Sequence, residues 1–198
     1  MRVMSYALGG LLATHLNVLA DDCTDRFTQL VTDRSDKGPV KILAIQQVGD
    51  AAPTRNYNYQ LTPGHWMTEM IEPDTMPWSL TFDGTMFMST DKGTSWTKVR
   101  DLTVAEQAQA GAAPSEDIAS TVANVACGRE DLEGTPHERV EGVEGEYTLY
   151  GGRHRQVFCL APDGWITKSD MRSDYQDTIM TATQHIARAP GLTLPQPE

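Results

Sequence analysis

The sequence has few of the groups on which most enzymes and nucleic-acid-binding proteins rely. Its 16 lysines and arginines are outnumbered by 27 aspartates and glutamates, which gives a formal net charge of −11. Because binding of a polyanion depends on clustered cations, we expect no nucleic-acid partner. The Gly-x-Ser-x-Gly, His-Glu-x-x-His and glycine-rich phosphate-loop motifs are also absent from the sequence. We therefore predict that the protein is not an enzyme and uses no cofactor.

Histidine is scarce and is not spaced as a metal ligand. The four histidines beyond the amino-terminal segment, which lie far apart on separate predicted strands, are His65, His137, His154 and His185. Zinc sites in proteins use ligands at short, regular spacings, and none of these histidines has a neighbour at such a spacing. The sequence therefore predicts no metal site.

Cysteine is also rare, with Cys23, Cys127 and Cys159 as the three candidates for oxidation. In an exported protein two of them can pair and leave one over. We favour the pairing Cys127–Cys159, with Cys23–Cys127 as the competing pairing. Three unpaired, buried cysteines are the remaining alternative.

Residues 1–20 form an apolar segment with a single charge, Arg2. The basic start, the apolar middle and the small residues before Asp21 are typical of a secretory signal peptide. The rival interpretation is a membrane anchor, but glycines and polar residues interrupt the run, which is barely long enough to span a bilayer. We predict cleavage after Ala20, a periplasmic or secreted protein, and no transmembrane segment in the mature chain.

Residues 21–189 predict a single β-rich domain that begins with a short helix. Short β-type runs alternate with turn residues along most of it: Val40–Val48, Arg55–Leu61, His65–Ile71, Trp78–Phe82, Thr85–Ser89, Ser95–Val99, Glu138–Val143, Glu146–Tyr150, Arg153–Leu160, Trp165–Arg172 and Tyr175–Ile186. An alanine-rich stretch near 103–127 predicts a helical insertion, and the proline-rich tail 190–198 is expected to be loose.

Tight turns join nearly all of these runs, and such turns can connect only antiparallel neighbours. An antiparallel meander of this size has to curl or split. We therefore predict a mainly β fold, in which a curved antiparallel meander forms an open half-barrel. The helical element is expected to lie across its mouth.

One hairpin is specified in detail by Asp83-Gly84, which demands a type I′ turn with positive φ at both residues. The turn fixes the register of the flanking strands as Phe82 opposite Thr85, Leu80 opposite Phe87 and Trp78 opposite Ser89. Apolar side chains then occur on both faces of the hairpin. Together with the neighbouring strand, this predicts a ligand-lining set of Trp66, Met70, Trp78, Leu80, Phe82 and Phe87.

The segment Ser89–Trp96 resembles the Asp-box of sialidases and other β-propeller proteins. In that motif an aspartate accepts backbone hydrogen bonds inside a turn, a glycine adopts positive φ and a tryptophan packs under the loop. A single copy predicts a structural hairpin and does not predict sialidase chemistry.

The segments Leu61–Met70 and Phe82–Phe87 resemble the LolA and LolB carriers of lipoproteins and the related sensor domain of RseB-like regulators. These segments supply a proline turn, a strand and an aspartate-glycine hairpin in the order usual for that group. The resemblance implies an unclosed β-barrel whose concave face holds acyl chains under a helical lid. It implies a hydrophobic or amphiphilic ligand, or a lipoprotein, as partner. The alternatives are an interaction module with a filled core and a small secreted hydrolase.

Overall fold

The computed structural model describes residues 15–32, 38–111, 116–144, 152–175 and 178–197. Within these residues the helices are α1 (His15–Thr32), α2 (Val104–Gly111) and α3 (Glu116–Thr121). The strands are β1 (Val40–Val48), β2 (Thr54–Thr62), β3 (His65–Glu72), β4 (Trp78–Phe82), β5 (Thr85–Ser89), β6 (Thr97–Asp101), β7 (Ala123–Leu132), β8 (Thr135–Glu144), β9 (Gly152–Leu160), β10 (Ile166–Tyr175) and β11 (Ile179–Arg188).

All of these strands belong to one antiparallel sheet, in the order β6-β5-β4-β3-β2-β1-β11-β10-β9-β8-β7. Strands β6 and β7 are its edges, and among the described residues they do not pair with each other, so the sheet is not closed into a barrel. The predicted fold class, a mainly β open half-barrel built from an antiparallel meander, is confirmed.

The β4–β5 hairpin forms with the predicted register, since Leu80 pairs with Phe87 and Trp78 pairs with Ser89. Its turn has φ of 47° at Asp83 and 69° at Gly84. Strands β1, β4 and β5 begin and end where the sequence predicts. The predicted strand 146–150 lies outside the described residues.

The helical insertion is shorter than predicted, because residues 123–127 belong to strand β7. The insertion starts at a capping box, in which the Thr103 backbone N–H donates to Glu106 Oε2 at 2.8 Å and the Glu106 N–H donates to Thr103 Oγ1 at 3.2 Å. Beyond α3 the chain pairs with β8, and Cys127 lies opposite Val140. Pairing with a strand distant in sequence overrides the local helical preference of an alanine-rich stretch.

The carboxyl-terminal segment contacts the rest of the chain at several points. The Ala189 N–H donates to the Pro39 carbonyl at 2.8 Å, and His65 Nε2 donates to the Pro195 carbonyl at 3.0 Å. Leu194 is only 9% exposed. The described part of the tail thus buries an apolar side chain and accepts a hydrogen bond from the sheet, while its looseness stays a prediction.

Helix α1 runs without interruption from His15 to Thr32, across the predicted cleavage point at Ala20. It packs on β7, β8 and α3. In the described part of the chain, no helix is both long enough and apolar enough to cross a membrane.

Candidate functional site

The face of the sheet that α1 contacts can be traced through the register, because directly paired residues of antiparallel strands point to the same side. The Phe27 ring lies against Gly142 in β8, where an added Cβ would come within 2.8 Å of the ring. From Gly142, cross-strand pairing leads in turn to Gln156, Met171, Ala182 and Gln46. We call this side of the sheet the helix face and the other side the opposite face.

One end of the helix face is filled. Phe27 of α1 and Val140 and Leu160 of the sheet have no exposed surface. The buried cluster around them comprises Phe27, Val31, Ile118, Val140, Phe158 and Leu160. At this end helix α1 covers the apolar side chains of the sheet, so these residues belong to the core.

At the other end, on β1, β2 and β3, the helix face forms a pocket of about 370 Å³. Its lining includes Ile42, Asn58, Gln60, Pro63 and Trp66, together with Tyr59, which the register places on the opposite face. Across the sheet Ile42 pairs with Asn58, and Gln60 pairs with Trp66. All four residues are half-buried. The pocket therefore combines an apolar floor with amide side chains.

A row of methionines continues from this pocket along the helix face. Met70 lies opposite Asn56, while Met86 and Met88 lie opposite Thr81 and Ser79. All three methionines are half-buried. Methionine is unbranched and polarizable, so such a row can adapt to an apolar chain of variable shape.

The two amides of the pocket have hydrogen-bonding capacity to spare. Asn58 Oδ1 accepts a hydrogen bond of 2.8 Å from Thr68 Oγ1. In the part of the chain that the structure describes, the Asn58 amide nitrogen and the Gln60 side chain make no hydrogen bond to the protein. These polar atoms are available to a bound molecule.

The predicted ligand-lining set is divided between the two faces. Trp66 and Met70 lie on the helix face, but Met67 pairs with Leu80, which places Leu80 on the opposite face. The other members on the opposite face are Trp78, Phe82 and Phe87. The prediction of one lining was wrong because the β4–β5 hairpin was correctly paired internally but its register with β3 could not be deduced.

The Asp-box-like segment and the tail lie over the opposite face of β4. Asp91 accepts hydrogen bonds from Ser95 Oγ at 2.6 Å, from the Ser95 N–H at 2.9 Å and from Ser89 Oγ at 2.7 Å, and these bonds lower the pKa of Asp91 to about 2. Gly93, at φ +84°, lies so close to the Trp78 ring that an added Cβ would be 2.9 Å from it. The segment forms the structural hairpin that its motif predicts.

On the tail side, the His65 ring contacts Phe82 with 4.7 Å between ring centroids and also holds the tail through Pro195. Leu80 is fully buried and Phe87 is 6% exposed. These two residues belong to the protein core and do not line a cavity.

The disulfide joins Cys23 to Cys127, and Cys159 is free and buried. The favoured pairing Cys127–Cys159 was therefore wrong and the competing pairing is correct. The reason lies in the register: Cys127 pairs with Val140 on the helix face, where Cys23 of α1 lies, whereas Cys159 pairs with Arg139 on the opposite face.

A second cleft, of about 710 Å³, lies beside the disulfide between α1 and β7. Asp22, Arg26 and Glu138 contribute to its lining, and Arg26 forms an ion pair with Glu138 at 3.4 Å. Although it is larger than the pocket on β1 to β3, its charged lining is unsuited to an apolar ligand.

The histidines are dispersed, as predicted. His137 Nδ1 contacts the Thr135 carbonyl at 2.8 Å, and His154 Nδ1 contacts Ser173 Oγ at 2.7 Å. Ser173 has no exposed surface, so a substrate cannot reach its hydroxyl. Among the described residues, no group of three histidine, cysteine, aspartate or glutamate side chains is arranged to hold a metal ion.

The opposite face of β7 to β10 carries a network of ion pairs. Arg139 and Arg155 contact Glu141 at 2.8 and 2.7 Å, and their hydrogen bonds lower the pKa of Glu141 to about 2. Burial, with the nearby Glu130 carboxylate, raises the pKa of the Cys159 thiol to about 11. Cys159 is consequently a protonated, inert thiol at neutral pH.

Comparison with known proteins gives a fold and no family. No family model matches the chain, and no curated protein matches it. Among solved structures, LprF from Mycobacterium bovis matches with a TM-score of 0.51 and 12% identity, over 89% of this chain and 97% of LprF. The chain shares the fold of LprF.

Two further solved structures match at lower scores. A LolA superfamily protein from Nitrosomonas europaea has a TM-score of 0.35 and 8% identity, over 89% of this chain and 94% of that one. A domain named for outer membrane lipoprotein sorting, from Vibrio parahaemolyticus, has a TM-score of 0.36 and 9% identity, over 86% and 92%.

Of the predicted lining set, Trp66 lines the pocket, whereas Ile42, Asn58 and Gln60 line it without having been predicted. A signal for them was present, because β2 places Asn56, Asn58 and Gln60 at alternate positions. Alternation of this kind puts all three amides on one face. The apolar pattern that predicted the lining set does not include amides, so it did not predict these three residues.

Proposed function

We propose that this protein is an exported, non-catalytic binding protein that shelters an acyl chain or another hydrophobic ligand on the uncovered end of the helix face. The observation that carries the proposal is the pocket floored by Ile42 and Trp66 and continued by half-buried methionines. Small-molecule sites are typically concave and mainly apolar, with a few polar groups that fix orientation.

Burial of an acyl chain supplies enough free energy for reversible binding. Each methylene removed from water contributes about 0.8 kcal/mol, so a chain of moderate length needs no covalent step. Trp66 adds a large, flat contact surface. Helix α1 cannot move over this end without giving up its contacts, since the Cys23–Cys127 bond fastens it at β7.

The chemistry of the ligand follows from the resemblance of the sequence to LolA-type carriers. An acyl-bearing molecule, either a lipid or a lipoprotein, is the ligand class to which this resemblance points. A periplasmic or secreted location agrees with the signal-peptide pattern of residues 1–20.

Substitution of adjacent residues that point to different faces tests the proposal. Trp66 lies on the helix face and its neighbour Met67 on the opposite face, and both are half-buried. We expect Trp66→Ala to weaken binding of the uncharged fluorescent probe N-phenyl-1-naphthylamine by about tenfold or more, because it removes a large apolar contact. Met67→Ala, the matched control, should leave binding within about twofold.

Lipid extraction provides an independent measurement. The mature protein purified from its native compartment should carry lipid that mass spectrometry of the extract detects. Absence of lipid together with no response to the uncharged fluorescent probe would contradict the proposal. Equal losses in the two variants would show that the ligand does not contact the helix face.

A further inference from the structure

Charge is excluded from the helix face of five neighbouring strands. In the regular register of β1 to β5, every helix-face residue is apolar or carries an uncharged amide or hydroxyl group. These residues are the even-numbered positions of 40–48, 54–60, 66–70 and 86–88, with positions 79 and 81. Asn58, Gln60 and Trp66 of the pocket belong to this set.

The same strands carry charge on their other side, so the exclusion is specific to one face. Lys41 Nζ lies 3.9 Å from the centroid of the Tyr57 ring, and Tyr59 donates to the Glu69 carboxylate at 2.6 Å. By the register these residues occupy the opposite face.

The charged residues at the borders of the uncharged area already have partners. On β6, Arg100 is bound by both oxygens of Glu106, at 2.9 and 2.7 Å. On β11, Arg188 pairs with Asp163 at 2.8 Å. Glu72, which lies beyond a register shift at the end of β3, pairs with Arg55. Each of these groups already has a partner of opposite charge in the protein, so none of them requires a charged ligand.

We infer that the polar head of the ligand is uncharged and hydrogen-bonding, an inference that rests on the proposed function. Removing a carboxylate, phosphate or ammonium from water is costly unless an opposite charge pairs with it, and the uncharged area offers none. Asn58 and Gln60 can instead donate to and accept from a hydroxyl or amide. Their position beside Trp66 places the head in the pocket and leaves the methionine row for the chain.

Three ligands with the same number of carbons in the chain and with different head groups test the inference: monolauroylglycerol, laurate and dodecyltrimethylammonium. Each would compete with the uncharged fluorescent probe N-phenyl-1-naphthylamine, below its micelle-forming concentration and at neutral pH. The net charge of −11 repels laurate at long range, so the titrations are made at high ionic strength, which screens that repulsion.

We expect monolauroylglycerol to displace the probe at concentrations about tenfold or more below those that the two charged ligands require. If laurate or dodecyltrimethylammonium competes as well as monolauroylglycerol, the inference is overturned while the proposed function stands. If the probe does not bind and no ligand stabilises the protein against unfolding, the proposed function is contradicted. The inference, which rests on it, is then contradicted as well.

A pair of charge-adding variants locates the effect. Gln60→Glu places a carboxylate in the pocket, whereas Gln47→Glu adds the same charge at an exposed position on the opposite face of β1. We expect only Gln60→Glu to weaken the binding of monolauroylglycerol and to strengthen the binding of dodecyltrimethylammonium several-fold. Equal changes in both variants would mean that net charge, and not the pocket, sets the preference, and would overturn the inference.

Discussion

The two ends of the helix face are built from the same sheet but are treated differently by the rest of the chain. At the β8–β9 end, Val140 and Leu160 lie under Phe27 with no exposed surface. At the β1–β3 end, Ile42 and Trp66 remain half-buried beside a pocket. The difference teaches that an apolar strand residue becomes core or binding surface according to what the chain places above it.

Residue types follow this division. The filled end brings together phenylalanine, valine, leucine and isoleucine, whereas the open end interleaves isoleucine and tryptophan with amides. An amide left facing a packed helix would lose its water without a replacement hydrogen bond. On the open end Asn58 and Gln60 are half-buried and keep access to water or to a ligand.

Loss of a large side chain should separate the two ends most clearly. Phe27→Ala is expected to lower the free energy of unfolding by about 3–5 kcal/mol, because it leaves a cavity in the filled end. Met70→Ala, at the open end, should cost about 1 kcal/mol or less, since Met70 is half-buried. Urea denaturation measures both, and similar losses would show that the open end is also packed core.

Glycine substitution sharpens the comparison at the helix–sheet contact. Gly142→Ala should lower the free energy of unfolding by about 1–3 kcal/mol, because the added Cβ would lie 2.8 Å from the Phe27 ring. Gly128→Ala on β7 is the matched control, since nothing lies within 4 Å of its added Cβ. If thermal unfolding shows equal losses, the close approach of α1 to β8 is not what determines the cost.

The smallest expected effect concerns acid stability on the opposite face of the filled end. The folded pKa of Glu141 is about 2, below its ordinary value of 4.5, so its contribution is complete above pH 4.5 and disappears as the pH falls towards 2. Glu141→Gln should therefore lower the free energy of unfolding by about 1 kcal/mol or less at neutral pH and should leave it unchanged at the acid limit.

Denaturation as a function of pH measures this difference. The control is Glu133→Gln, which removes the same charge from an exposed turn between β7 and β8. A loss in Glu141→Gln that stays constant down to acid pH would show that packing, and not the ion pairs with Arg139 and Arg155, accounts for the effect.

Local sequence was sufficient to predict those parts of the fold that depend on near neighbours. The Asp83-Gly84 turn fixed the whole β4–β5 register. The deciding contacts of this hairpin lie within a few residues of each other.

The errors concern contacts between residues that are distant in the sequence. Trp78 and Trp66 fall on different faces because the register between β3 and β4 depends on a connection whose geometry has no fixed rule. The Cys23–Cys127 bond depends likewise on where separate elements meet. Among the described residues that line the pocket, Trp66 alone belonged to the predicted set, because Ile42 and Trp66 become neighbours only through the pairing of both strands with β2.

The Cys23–Cys127 disulfide spans 104 positions, and the strands β1 to β6 with α2 and α3 all lie inside that span. The open end of the sheet is thus contained in a covalent ring. A protease that cuts this ring once leaves a nicked protein whose two pieces migrate as one band until a reductant is added. Damage to the exposed pocket therefore need not release the helix from the sheet.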